Sequence, residues 1–384
     1  MVTFTSDLNI VITRRALPRT NRVARTRFET IGLDGVGREV LLAFRLHALI
    51  RFREQCAFPD CFCHETCFRL QGEKAVAIIL NPSGELQSVA INGRAFNGHS
   101  MVGRLQRVLV CSPRASGWNQ PAVAERWQEL GFFHTPDFAT SQAQHDELCR
   151  QLESAGAEVF QLPPASDLSL DAVYTHDPSL ACDHGLIGLH PGKPNRIPEA
   201  QRHLEFCRSL GIPALGQIQP PGKAEAGDMV WLDSTTLLIG QGYRTNRAGI
   251  AQMRALLQPH GVEVISAPLP YGPGPSACLH LMSLMSQLDE RTALVDLPWL
   301  AVETVDLLQS RSYRLVEIEY AERETLACNV LSLGDKHLIA LEENQRTNQK
   351  LRQAGFDVRT FPGSELCING GGGPTCLTRP LLRT

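Results

Sequence analysis

The chain has 384 residues, with 37 Lys plus Arg against 40 Asp plus Glu and a formal charge of −3. That near-neutral balance excludes a dedicated nucleic-acid binder, which needs clustered cationic charge against phosphates. No apolar run reaches the about 18–20 residues that span a bilayer. The twelve cysteines are too dilute for a disulfide scaffold, and no secretory pattern opens the sequence. A cytoplasmic protein with reduced thiols is the expectation.

The charge is unevenly shared. Residues 1–100 hold 13 Lys plus Arg against 9 Asp plus Glu, and residues 101–384 hold 24 against 31. In the first part, LLAFRLHALIRF at 41–52 has the pattern of one amphipathic helix. CAFPDCFCHETC follows, with Cys56, Cys61, Cys63, His64 and Cys67. Four thiols and an imidazole so close together are zinc-ligand chemistry. The spacing C-x4-C-x-C-H-x2-C matches no standard ligand pair, so no metal or other cofactor is assigned. QSVAINGRAFNGHS, ending at Ser100, reads as loop. Residues 1–100 are therefore expected to be a poorly structured or dispensable N-terminal extension, one reading being an over-long reading frame. Residues 101–384 are expected to carry the function.

From residue 101 onward the elements recur. A strand at 107–112 precedes a helix at 140–155, which ends in LESAGAEVFQL, where Gly156 leads into a short β run. The joint returns as CRSLGIPAL at Gly211, LQPHGVEVISA at Gly261 and LRQAGFDVRTF at Gly355. Glycine suits a helix C-terminus because the chain there often needs positive φ. Near Arg311–Leu315, QSRSYRLVEI keeps the β run without the glycine. Between the joints a polar residue opens an apolar run, a turn and a second apolar run. These residues are Asp177, Asp228, His280, Asn329 and Cys376, spaced 51, 52, 49 and 47 apart. The runs predict β-hairpins, with Asp-His-Gly and Gly-Asp as turn residues. Five helix–strand–hairpin units predict a closed ring, because closure removes unpaired end modules. Equivalent positions in such a ring face one axis. A cysteine, a histidine and carboxylates converging there make a nucleophilic site.

The blocks YTHDPSL, EAGD, YRTN, LHLMS and GGGGPTCLTRPLL resemble, in that order, the signature blocks of the guanidine-modifying superfamily. That superfamily includes dimethylarginine dimethylaminohydrolases, arginine deiminases and amidinotransferases. The resemblance covers roughly residues 105–384. It implies an α/β fold of pentein type, a five-bladed pseudo-fivefold propeller with the site on its axis. It implies Cys376 as the nucleophile on the guanidinium carbon, through a covalent thiouronium intermediate. His280 would shuttle protons, with Glu225 orienting it. Asp177, Asp171 and Asp228 would stand on the substrate side, with Asp228 also open to a purely structural role. Arg244 would take the substrate α-carboxylate, or else pair with a carboxylate of the protein. These residue types suit the chemistry, since carboxylates grip a planar cation through paired N–H bonds.

The match departs in places. Ala226 replaces a frequent glycine, and His176 stands where dimethylarginine hydrolases often carry an acid. Met282 stands where arginine deiminases carry an Asp, which tilts the resemblance toward the dimethylarginine dimethylaminohydrolase group. Met282 is also a candidate lining for an N-alkyl group. The implied reaction is hydrolysis of an N-methylated arginine or relative to a citrulline-type product and an amine. An amidinotransferase, an arginine deiminase and a non-catalytic binding propeller are the alternatives. The expected partner is a small guanidino molecule, with no nucleic acid and no membrane, and a homodimer is left open. SPRASGWNQ at 112–120 corresponds to a lid in the family, with Arg114 and Trp118 as candidate contacts. Taken alone, it reads as a flexible surface loop. The glycines at 370–373 lack the Lys-Ser/Thr of a phosphate loop.

Overall fold

A computed structural model of the chain describes residues 96–275 and 279–384, together with five short strands before them. The chain divides into two units, Met1–Asn92 and Gly93–Thr384. In the first, Val2–Phe4 pairs antiparallel with Ile10–Ile12. Ala75–Leu80 pairs antiparallel with both Thr66–Cys67 and Leu86–Ile91. The stretch expected as loop after Leu86 is thus partly a strand, in keeping with its Val89 and Ile91. The helix expected at 41–52 and the side chains of the cysteine cluster lie outside the described residues.

The second unit begins at Gly93 rather than at residue 101. The residues between are tied to the end of the chain. The Asn97 amide donates to Leu381 O (2.9 Å), and the Arg383 amide donates to Asn97 Oδ1 (2.8 Å). Gly98 N–H donates to Asp183 Oδ1.

This unit contains five three-stranded mixed sheets. Strands β1 (Leu105–Val110) and β2 (Glu158–Gln161) flank helix α1 (Phe138–Ser154). The hairpin β3 (Ser179–Cys182) and β4 (Gly185–Gly188) leads through α2 (Ile197–Ser209) to β5 (Ala214–Gln217). Next come β6 (Met229–Asp233), β7 (Thr236–Gln241), α3 (Arg247–Leu257) and β8 (Glu263–Pro268). Then follow β9 (Met285–Asp289), β10 (Thr292–Val295), α4 (Val302–Ser310) and β11 (Arg314–Glu317). The last series is β12 (Leu331–Gly334), β13 (His337–Leu341), α5 (Gln345–Gln353) and β14 (Asp357–Phe361). In each, the hairpin is antiparallel and the strand after the helix joins it in parallel. The fifth sheet draws on both ends of the unit, since β15 (Arg379–Arg383) pairs antiparallel with β1, and β1 pairs parallel with β2.

Local chemistry explains the helices. Asp137 caps α1 by accepting the Thr140 amide, and Asn246 caps α3 by accepting the Gly249 amide. Helix α1 buries Ser141, Gln144, His145, Leu148, Gln151 and Leu152, a face with helical spacing. Five apolar clusters join the sheets in succession. Leu109 shares one with Leu186, Ile187 with Trp231, and Leu238 with Met285. Leu294 shares one with Leu338, and Leu341 with Leu105, which returns the series to β1. No described helix is long and apolar enough to cross a membrane.

Candidate active site

The five repeat-equivalent residues all lie just ahead of the first strand of a hairpin or of its counterpart. Asp177 precedes β3, Asp228 precedes β6, His280 precedes β9, Asn329 precedes β12 and Cys376 precedes β15. Short 3₁₀ turns over Ala226–Asp228 and Leu281–Ser283 bend the backbone here, with Glu225 and His280 as their first flanking residues. Ser283 Oγ accepts the His280 amide and fixes that bend.

A chain of contacts links the site. His280 Nε2 lies 2.8 Å from Glu225 Oε2, and His280 Nδ1 lies 3.9 Å from Asp177 Oδ1. The Cys376 carbonyl accepts the His176 amide at 3.0 Å, which ties the thiol-bearing segment to the neighbour of Asp177. Asn329 grips the same segment twice. Its Nδ2 donates to Cys376 Sγ at 3.1 Å and its Oδ1 accepts the Thr375 amide at 3.0 Å. Glycines make this approach feasible. A Cβ on Gly373 would stand 2.7 Å from Asn329 Cγ, and one on Gly227 would collide with His280.

The carboxylates are deeply buried and heavily paired. Glu225 accepts Arg244 Nε (2.9 Å) and the Gly192 amide (2.7 Å) besides facing His280. Burial works against its charge, but Arg244 and His280 outweigh that and hold its pKa below the ordinary carboxylate range. Asp177 accepts Arg196 Nη1 at 2.6 Å and the Gly227 amide at 3.1 Å. Burial again opposes ionisation, while His280, Arg196 and Arg244 outweigh it and keep Asp177 charged. Asp228 differs. Its Oδ1 accepts the Leu281 amide (2.9 Å), which positions the turn after His280, and burial pushes its pKa up to about 6. Asp171 is buried against Lys193 Nζ (3.2 Å) and Asn195 Nδ2 (2.8 Å). Lys193 also donates to Leu130 O, linking this wall to the segment after β1.

Asp177, Glu225 and His280 offer ligand-type atoms within 4.8 Å of one another. Arg196 and Arg244 already neutralise the two carboxylates. The cluster is therefore an ion-paired network around an imidazole.

Several expected placements change. Arg244 was left open between a substrate carboxylate and a carboxylate of the protein. Its guanidinium is buried as a fork on Glu225, with Nη2 2.8 Å from Oε2, which is the second of these. Met282, the candidate lining for an N-alkyl group, is core, clustered with Leu281 and Met285. His176 is buried with Nδ1 2.9 Å from Thr378 O, and burial pulls its pKa down to about 3, so the ring is neutral. The segment at 112–120 is not a loose surface loop. Trp118 is buried, donates to Leu170 O (3.0 Å) and meets Phe132 edge to face. Arg114 lies over the Phe138 ring. Sequence reading missed Arg196, whose Arg-x-x-Glu spacing with Glu199 looks like an ordinary surface helix pair. It also missed the Asn329 contact with the thiol, although the repeat had singled Asn329 out.

Of the seven predicted site residues, Cys376 alone is not fully buried. A part-exposed thiol on a glycine-rich turn, and an imidazole with a buried carboxylate partner, are the residue types that nucleophilic catalysis uses. An arginine deiminase family model matches residues 299–383. The dimethylarginine dimethylaminohydrolase of Pseudomonas aeruginosa is 28% identical over 237 residues, covering 62% of this chain and 87% of its own. A solved structure of that enzyme, a mutant in complex with citrulline, aligns with a TM-score of 0.58 at 25% identity. It covers 73% of this chain and 100% of its own.

The chain is thus similar to members of the guanidine-modifying superfamily. An amidinotransferase of saxitoxin biosynthesis from Microseira wollei shares the fold, with a TM-score of 0.63 at 16% identity over 76% of this chain and 98% of its own. By name, the first of these relatives is a hydrolase and the second a transferase.

Proposed function

We propose that the protein is a cysteine-dependent hydrolase of a small guanidino compound, an N-methylated arginine or a relative. The observation that carries this reading is the part-exposed Cys376 thiol in a site whose His280 is 2.8 Å from buried Glu225. Asp177 meets the guanidinium N–H groups, its charge maintained by the surrounding cations. The substrate cation and the Asn329 amide favour the thiolate. Cys376 Sγ attacks the guanidinium carbon and forms a tetrahedral adduct. His280 delivers a proton to the departing amine as its C–N bond breaks, leaving a thiouronium. His280 then takes a proton from water, whose oxygen adds to the same carbon. Collapse expels the thiolate and leaves a ureido product.

The five sheets are proposed to surround one axis as the blades of a propeller. The cyclic sharing of apolar clusters and the pairing of β15 with β1 support that arrangement.

The test is incubation of the protein and its Cys376→Ala variant with dimethylarginine, arginine and agmatine, followed by assay of ureido product and released amine. Turnover of one of these by the parent, and none by the variant, is expected. Equal turnover by the two proteins, or none by the parent, would sink the mechanism.

A further inference from the structure

A second feature lies behind the catalytic cluster. A cavity of about 30 Å³ is lined by the first strand of all five hairpin positions, through Leu180, Trp231, Gln287, Ser332 and Arg379. Its wall also includes Arg383, so two guanidinium groups of β15 border one small space. Both arginines are buried. Their hydrogen-bond partners are neutral carbonyls. Arg379 Nη2 donates to His176 O (2.5 Å), and Arg383 Nη1 donates to Gly103 O (2.7 Å) and Ser332 O (2.9 Å). Neither has a carboxylate within ion-pair distance among the described residues, and the Nε–H of each has no acceptor.

The contrast with the catalytic cluster is direct. Buried Arg196 and Arg244 each have carboxylate partners. A guanidinium does not shed its proton at neutral pH, so two of them without counter-charge are strongly disfavoured in a dry interior. The carboxylate whose charge acts on Arg379 is Asp177, which is already held by Arg196. The same region leaves His176 Nε2 and Gln287 Oε1 without donors. About 30 Å³ accommodates roughly two water-sized bodies. One anion and one water satisfy both needs: the anion accepts from the arginines and the water donates to the bare acceptors.

We propose that this cavity is a binding site for a small inorganic monoanion of halide size, held by Arg379 and Arg383. The anion acts as a structural counter-ion rather than as a reactant. Its walls are chain neighbours of the site, with His176 beside Asp177, Met229 beside Asp228 and Thr375 beside Cys376. Occupancy therefore stabilises the floor on which the catalytic residues stand.

The test uses the full chain and its Arg383→Met variant. Crystals soaked in bromide are expected to show an anomalous peak between Arg379 and Arg383. The parent's melting temperature is expected to rise with chloride concentration when isethionate replaces it at equal ionic strength. Arg383→Met is expected to weaken halide binding roughly tenfold or more, as loss of a charge-assisted partner implies. A cavity holding only water in bromide, with melting unaffected by the choice of anion, would overturn the proposal. So would an undiminished halide effect in the variant. The parent's response decides the question even where the variant fails to fold.

Discussion

Burial separates the cysteines. It pushes the thiol of Cys182 up to about 11 and those of Cys149 and Cys207 up to about 12, so these remain protonated near neutrality. Cys376, part-exposed like Cys149, has the Asn329 amide donating to its sulfur. Replacing Asn329 by Asp keeps an oxygen for the Thr375 amide, removes the donor and adds negative charge 3.1 Å from Sγ. Both changes disfavour the thiolate. Iodoacetamide labelling of Cys376 at pH 7, followed by peptide mass, is expected to slow about tenfold or more, with its pH profile moved upward. Unchanged labelling would show that the Asn329 contact does not tune the thiol. At this scale the repeat spacing exposed Asp177, Asp228, His280, Asn329 and Cys376, because each begins the same element. Arg196 and the Arg244–Glu225 fork were not legible, since a buried ion pair depends on which helix starts meet in space. Charge pattern alone gives an Arg no preference between a substrate carboxylate and a protein one.

The joints between helix and strand were the most readable elements. Gly156, Gly211, Gly261 and Gly355 adopt φ of 91°, 80°, 77° and 97°. The joint that lacked glycine in the sequence makes the same turn with Ser312, at φ 61°. A side chain there carries the left-handed strain that its four counterparts avoid. Ser312→Gly is expected to raise stability by up to about 1 kcal/mol, while Gly355→Ala lowers it by about 1–2 kcal/mol. A Cβ on Gly355 meets nothing within 4 Å, so the effect isolates backbone strain. Denaturant melts of the two variants check this, and a destabilised Ser312→Gly would contradict it. The segment at 112–120 was misread because its Pro, Ser, Gly and Asn resemble a loop. Trp118 anchors it, and an isolated tryptophan has no periodicity to announce burial.

For the whole molecule, the charge comparison was drawn at residue 100, while the compact units divide between Asn92 and Gly93. Phe96 packs into the cluster of Leu109, and Asn97 bonds to Arg383, so a cut at 101 would strip the backing from β15. A protein spanning residues 93–384 is expected to be soluble and to keep the activity of the full chain. Loss of activity with Cys376 intact would show that the first unit contributes to the catalytic one. The border was obscured because a run of Gly, Asn and Ser carries no pattern of its own. It is fixed by hydrogen bonds to residues almost three hundred positions away.

The pairing of β15 with β1 also sets an order of assembly. The carboxylates and the imidazole emerge from the ribosome well before the thiol, which comes just ahead of β15. Until β15 arrives, β1 has an unsatisfied edge and the Cys376 thiol is not yet in place. Closing that sheet joins strands separated by most of the unit, a step that is slow compared with the local hairpins. On the proposed function, a nascent chain is chemically silent until β15 pairs with β1.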